Sequence, residues 1–188
     1  VDLVAWATCV VTDELAEPLP RRFAHVRGVG RKAKLAAPLF DPEEQEILVA
    51  SALLHDIGYA PRLAASGFHP LDGASFLADS HVNGRLCSLV AHHSCAYREA
   101  ELRGLSAELA RWTDESTPLR DALWWADMTT TPDGEPTSVH DRIEEIQRRY
   151  GPEDLVTFFI RQAKPELVCA VERTEERLRA AGVDYTAK

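Results

Sequence analysis

Four residues scattered along this chain, His25, the adjacent pair His55-Asp56, and Asp127, carry side chains that could act as one unit. Two imidazoles and two carboxylates can enclose a divalent cation, and a cation so held converts bound water to hydroxide near neutral pH. An HD dipeptide by itself arises often by chance. The surroundings lift this one above chance: Arg22-Phe23-Ala24-His25-Val26-Arg27-Gly28-Val29, Ala52-Leu53-Leu54-His55-Asp56-Ile57-Gly58 and Trp125-Ala126-Asp127-Met128. Arg22 lies one helical turn before His25, where it can pair with a nearby carboxylate and steady the ligands. The two oxygens of Asp56 allow it to bridge two ions, and Asp127 adds an anionic ligand that suits harder ions such as Mn, Mg or Fe.

The elements that must position these residues read as helix after helix, with few alternating β-branched runs. His25 falls on a helix of residues 20–37. Over residues 41–57, Asp41 can cap, Pro42 suits the first helical position, and Glu43 and Glu44 suit the positive end of the dipole. Gly58 stops that helix, leaving His55 and Asp56 in its last turn. Asp56 then shares a face with Val49, Ala52 and Leu53, apolar company in which an anion needs a cationic partner. Thr117-Pro118 opens a helix on which Leu119, Leu123 and Asp127 fall at i, i+4 and i+8. Residues 69–79 and 84–94 read as a helical pair. Thr129 to Pro136, with Pro132-Asp133-Gly134 inside, is the clearest loop. Residues 139–150 and 153–181 form amphipathic helices, the second broken before Pro165. The expected architecture is all-α, a single-domain helical bundle over residues 1–188. Its metal-site core runs from about 20 to 130, with a helical extension from about 137 to 181.

Composition bounds the function. A chain of 188 residues with a formal charge of −9 lacks the basic face that a general nucleic-acid binder needs. It can still hold a local pocket of Arg and metal for a small anion. No apolar run approaches the ~20 residues of a membrane span, and no basic, then apolar, leader opens the sequence. Cys9, Cys87, Cys95 and Cys169 show no C-x-x-C spacing, so neither a zinc knuckle nor a disulfide framework is indicated, and a cytoplasmic location fits. Apolar stripes on the C-terminal helices permit a homodimer.

The H…HD…D order and its flanks resemble the HD-domain superfamily of metal-dependent phosphohydrolases, from about residue 20 to residue 130. His69-Pro70-Leu71-Asp72-Gly73-Ala74 and Val90-Ala91-His92-His93-Ser94 resemble the additional His motifs of members with dinuclear centres, the HD-GYP branch and the HD-type diiron oxygenases. The resemblance implies that His25, His55, Asp56 and Asp127 hold a first ion, that Asp56 bridges, and that His69 and His92 hold a second. His92 is preferred on family position. Helical spacing favours His93 instead, by placing it with Leu86, Leu89 and Val90, and His93 is kept as an alternative ligand or substrate contact. The implied cofactor is one or two divalent ions, Fe or Mn foremost, with Co, Ni, Mg and Zn open.

Two signatures of the HD-GYP branch are missing. Ile57-Gly58-Tyr59-Ala60-Pro61 follows the HD pair without its Lys, and Ser94-Cys95-Ala96-Tyr97-Arg98-Glu99 follows the tandem His without Gly-Tyr-Pro. A cyclic-dinucleotide phosphodiesterase is therefore disfavoured. The resemblance implies hydrolysis of a small, nucleotide-like phosphoester, with His55, Asp56 and Arg22 central to catalysis. Tyr59, Tyr97, Arg98 and His93 are the expected substrate contacts, with Arg103 and Arg120 as further polar candidates. A mixed-valent diiron oxygenase and a non-catalytic nucleotide-binding module are the alternatives. His140-Asp141 is a second HD dipeptide, but it follows Ser138 at a helix start, where Asp141 supports the N-terminus. No catalytic role is expected of it.

Overall fold

Asp2, Asp41, Asn83, Thr117, Ser138 and Asp154 each accept a backbone N–H at the start of a helix, and the chain that these caps punctuate is all-α. The computed structural model describes residues 2–186. Its helices are α1 (Leu3–Leu15), α2 (Pro20–Ala36), α3 (Pro42–Leu54), α4 (His69–Asp79), α5 (Gly84–Ala91), α6 (Ala96–Arg103), α7 (Ser106–Leu109), α8 (Pro118–Met128), α9 (Val139–Tyr150) and α10 (Leu155–Ala180). Among the described residues β pairing is limited to one isolated bridge, Thr130 to Pro136. None of the helices is long and apolar enough to cross a membrane.

Two helices form the centre because they are apolar almost all round. Every residue of α3 from Ile47 to Leu54 is buried, as is every residue of α8 from Leu119 to Met128. Helices α1, α2, α5 and α8 pack on α3, while α10 lies along α8 and α9. His55, Asp56 and Asp127 thus end the two most buried elements.

Glycines bring the remaining parts close. A Cβ on Gly58 would stand 2.1 Å from the carbonyl oxygen of His69, so only glycine lets the turn after Asp56 touch the start of α4. A Cβ on Gly28 of α2 would stand 2.5 Å from the carbonyl oxygen of Gly134, in the loop before α9.

Several boundaries differ from expectation. The helix over 41–57 ends at Leu54, with Ile57–Tyr59 in a 3-10 turn, and the one over 84–94 ends at Ala91. Helix α10 continues unbroken through Pro165. That residue is exposed, and so is Arg161, whose carbonyl lacks the amide partner that proline removes, so water can serve it. Helices α1, α6 and α7 were not singled out from the sequence.

Candidate metal centre

His25 projects from α2, His55 closes α3, Asp56 follows it, His69 opens α4, His93 follows α5, and Asp127 lies in the last turn of α8. His25, His55, Asp56, His93 and Asp127 are all at most 7% exposed. Five of the six line a cleft of about 900 Å³, counting its open mouth, and His55 lies fully buried among them.

Three imidazoles are held in the same way. Nδ1 of His25 lies 2.9 Å from the Thr131 carbonyl, that of His55 2.8 Å from Ala52, and that of His93 2.7 Å from Val90. A carbonyl can only accept, so each Nδ1–H donates, and in the neutral ring each Nε2 presents a lone pair. Backbone anchoring of the far nitrogen is the arrangement that orients metal-ligating histidines.

The lone pairs face two carboxylates. His25 Nε2 lies 3.2 Å from Asp127 Oδ1, and His55 Nε2 lies 3.7 Å from the same oxygen. Asp56 divides its oxygens: Oδ2 stands 3.5 Å from His55 Nε2 and 3.8 Å from His25 Nε2, while Oδ1 stands 3.2 Å from His69 Nε2 and 3.8 Å from His93 Nε2. His69 and His93 approach each other at 3.2 Å through Nε2. Two donors each about 2.1 Å from one ion, at a right angle, stand about 3.0 Å apart, so these separations suit ligands sharing an ion. Two sets meet the geometric requirement, His25 with His55 and Asp127, and His55 with Asp56 and His93.

The fit to a cation shows most clearly at His55. Its Nε2 is buried and has no hydrogen-bond partner among the described residues. A buried acceptor left alone costs ~1–3 kcal/mol, and a cation is what this lone pair and the adjoining carboxylates lack. Burial pushes the carboxyls of Asp56 and Asp127 up. Arg22, His55 and His69 outweigh that at Asp56, and His55 and His25 at Asp127, so both acids lie well below the usual carboxylate range. Burial also lowers His69 from an ordinary 6.5 to about 4 and, with His55, lowers His93. Those imidazoles stay neutral at neutral pH, the form that binds metal.

Surrounding groups fix the ligands. Arg22 donates to Asp56 Oδ2 at 2.5 Å and lies 4.1 Å from the centroid of the Tyr59 ring, whose other neighbour, His69, stacks on it at 4.0 Å. Ser94 donates to Asp127 Oδ2 at 2.5 Å. Ser94 and Cys95, in the turn that carries His93, both have left-handed backbones, φ 47° and 62°, a conformation unusual for residues with a Cβ. Ser94 was not anticipated, because nothing in its neighbours distinguishes it from an ordinary surface serine.

Three expected site residues sit elsewhere. His92 donates through Nε2 to the Trp112 carbonyl at 2.8 Å, and its own carbonyl accepts from Trp124. It therefore pins the chain before α8, and His93 is the one of the pair whose Nε2 faces Asp56 and His69. Helical spacing favours His93 and family position His92; α5 ends at Ala91, so both residues lie beyond the helix and local contacts, not register, set their directions. Tyr97 and Arg98 both donate to Glu166 of α10 and do not line the cleft. Of the further candidates, Arg103 lines the cleft and donates to Glu99, whereas Arg120 is buried against Asp114 and the Trp124 ring. Ser138 caps Asp141 at 3.1 Å, and Asp141 of the second HD pair is spent on that cap, as expected.

A family model described as HD domain matches residues 22–146. No curated protein and no solved structure matches the chain.

Proposed function

The chain belongs to the HD domain family, and from that premise we propose that it is a metal-dependent phosphohydrolase acting on a small phosphoester. The observation that carries the reading is the unpartnered Nε2 of His55 among buried carboxylates. His25, His55, Asp56 and Asp127 would hold one divalent ion, and Asp56, His69 and His93 a second. Bound there, such ions lower the pKa of water and offset charge developing on phosphoryl oxygens.

The chain's own residues do the positioning. Arg22 keeps Asp56 ionised and turned toward both groups of ligands, and the Ser94 hydroxyl holds Asp127 in place through its Oδ2. Tyr59 and His69, stacked, wall one side of the cleft and limit access of bulk water. The substrate enters from the mouth, where the half-exposed Arg103 and Arg149 give an anion a favourable approach. The whole is read as one domain whose last two helices complete the cleft around the metal-site core.

The test is metal analysis of the purified protein followed by phosphate release from a panel of phosphomonoesters and phosphodiesters, with Mn or Fe(II) under nitrogen. Metal-dependent phosphate release that Asp56→Asn abolishes supports the reading. Two irons per chain with O2 consumption and no phosphate release would replace it by an oxygenase. Ligand binding without turnover would make the protein a binding module.

A further inference from the structure

Helix α9 begins with the HD dipeptide that does no site chemistry, yet its next residue stands out. Arg142 is 5% exposed, lines the metal cleft, and has a buried Nε with no hydrogen-bond partner among the described residues. A guanidinium carries five donors in a rigid fork, and burying it without acceptors is unfavourable. Among the described residues the one carboxylate it pairs with is Glu145, at 2.5 Å through a terminal nitrogen. Glu145 is shared: Arg149 reaches it from the next turn at 3.4 Å.

Two guanidinium groups therefore converge on one carboxylate, and one positive charge is left over on the cleft wall of a chain whose net charge is −9. By contrast, Arg22 has Asp56 and Arg103 has Glu99. The surplus charge has an apolar setting. Ile146 lies between the two arginines on α9, and Met128 and Phe159 line the same cleft. Arg149 also borders a second, proline-lined depression that shares Arg22 and His25 with the first, so it stands where the two openings meet.

We propose that Arg142 and Arg149 form an oxyanion-binding subsite of the cleft, which holds a phosphate or carboxylate group of a substrate whose adjoining part is apolar. A tetrahedral or planar oxyanion supplies the acceptors that Arg142 lacks, and the fork geometry favours two parallel bonds. The inference rests on the reading that the cleft is the substrate site, but not on metal chemistry.

Protein stripped of metal with a chelator is titrated calorimetrically with inorganic phosphate and, separately, with succinate. Saturable binding of either anion is expected, weakened about tenfold or more in Arg149→Gln and Arg142→Lys, the scale of one lost charge-assisted hydrogen bond. Arg62→Gln, exposed and paired with Glu14 of α1, should bind as wild type does. The tighter anion identifies the group held. Binding of neither anion, or binding unchanged in both cleft variants, overturns the subsite. Arg149 is partly exposed, so its variant remains decisive if Arg142→Lys does not fold, which circular dichroism reports. Failure of the hydrolase reading looks different: anions bind through these arginines, yet no metal supports phosphate release.

Discussion

His55-Asp56 and His140-Asp141 are the same dipeptide in opposite settings. The first ends a helix buried on every side, and its residues are 0% and 3% exposed. The second begins an amphipathic helix, with His140 exposed and Asp141 accepting a hydrogen bond from the Ser138 hydroxyl at 2.7 Å. Water solvates the second pair and leaves it nothing to seek. The first has lost water, keeps one imidazole proton on a backbone carbonyl, and turns a bare Nε2 toward two acids. Desolvation, not residue identity, makes one pair a candidate ligand set and the other a helix cap.

The largest expected effect separates the two pairs directly. Asp56→Asn should abolish metal retention and lower phosphate release by well over 100-fold, beyond what loss of an outer-sphere contact costs. Asp141→Asn should leave both unchanged, and equal effects at the two sites would end the distinction. Next comes the tandem histidine. His93→Ala should lose part of the bound metal by elemental analysis and about 100-fold in activity, whereas His92→Ala should keep its metal and lose stability by roughly 1–3 kcal/mol, from its buried hydrogen bonds. A reversal would return His92 to the metal site. Ser94→Ala, which releases Asp127, should cost about tenfold in metal affinity by competition with a chelator; an unchanged affinity would make Ser94 incidental.

A pH series probes the same desolvation. In the unfolded chain His69 takes a proton near 6.5, but in the folded chain only near 4. The unfolded state therefore binds more protons between these values, so stability rises with pH there. Urea unfolding of metal-stripped protein should show full stability above about 6.5 and a decline toward about 4, with a shallower slope in His69→Asn. A wild-type curve flat across that window would contradict burial as the cause. The smallest effect belongs to the exposed pair: Ser138→Ala should cost about 1 kcal/mol through the lost cap, with metal content intact.

Much of the fold was legible locally. Asp41-Pro42, Thr117-Pro118 and Ser138 mark helix starts by hydrogen bonds within three residues, and tertiary context did not override them. Helix ends were less legible. His55-Asp56 and His92-His93 both fall just after a helix stops, because the site needs their backbones free to turn. Pro165 misled in the other direction, since an exposed helix face tolerates a missing amide.

By itself the amino-acid order determined the helical class, the caps, and the set of imidazoles and carboxylates able to hold a cation, since these depend on residue type and short-range spacing. Only the tertiary structure decided that His92 is spent on the Trp112 carbonyl, that Tyr97 and Arg98 are spent on Glu166, and that Arg142 is buried beside the cleft with an Nε lacking a partner among the described residues. Those outcomes depend on which distant segments exclude water from a side chain and which partners they leave it, and spacing along one helix carries no record of either.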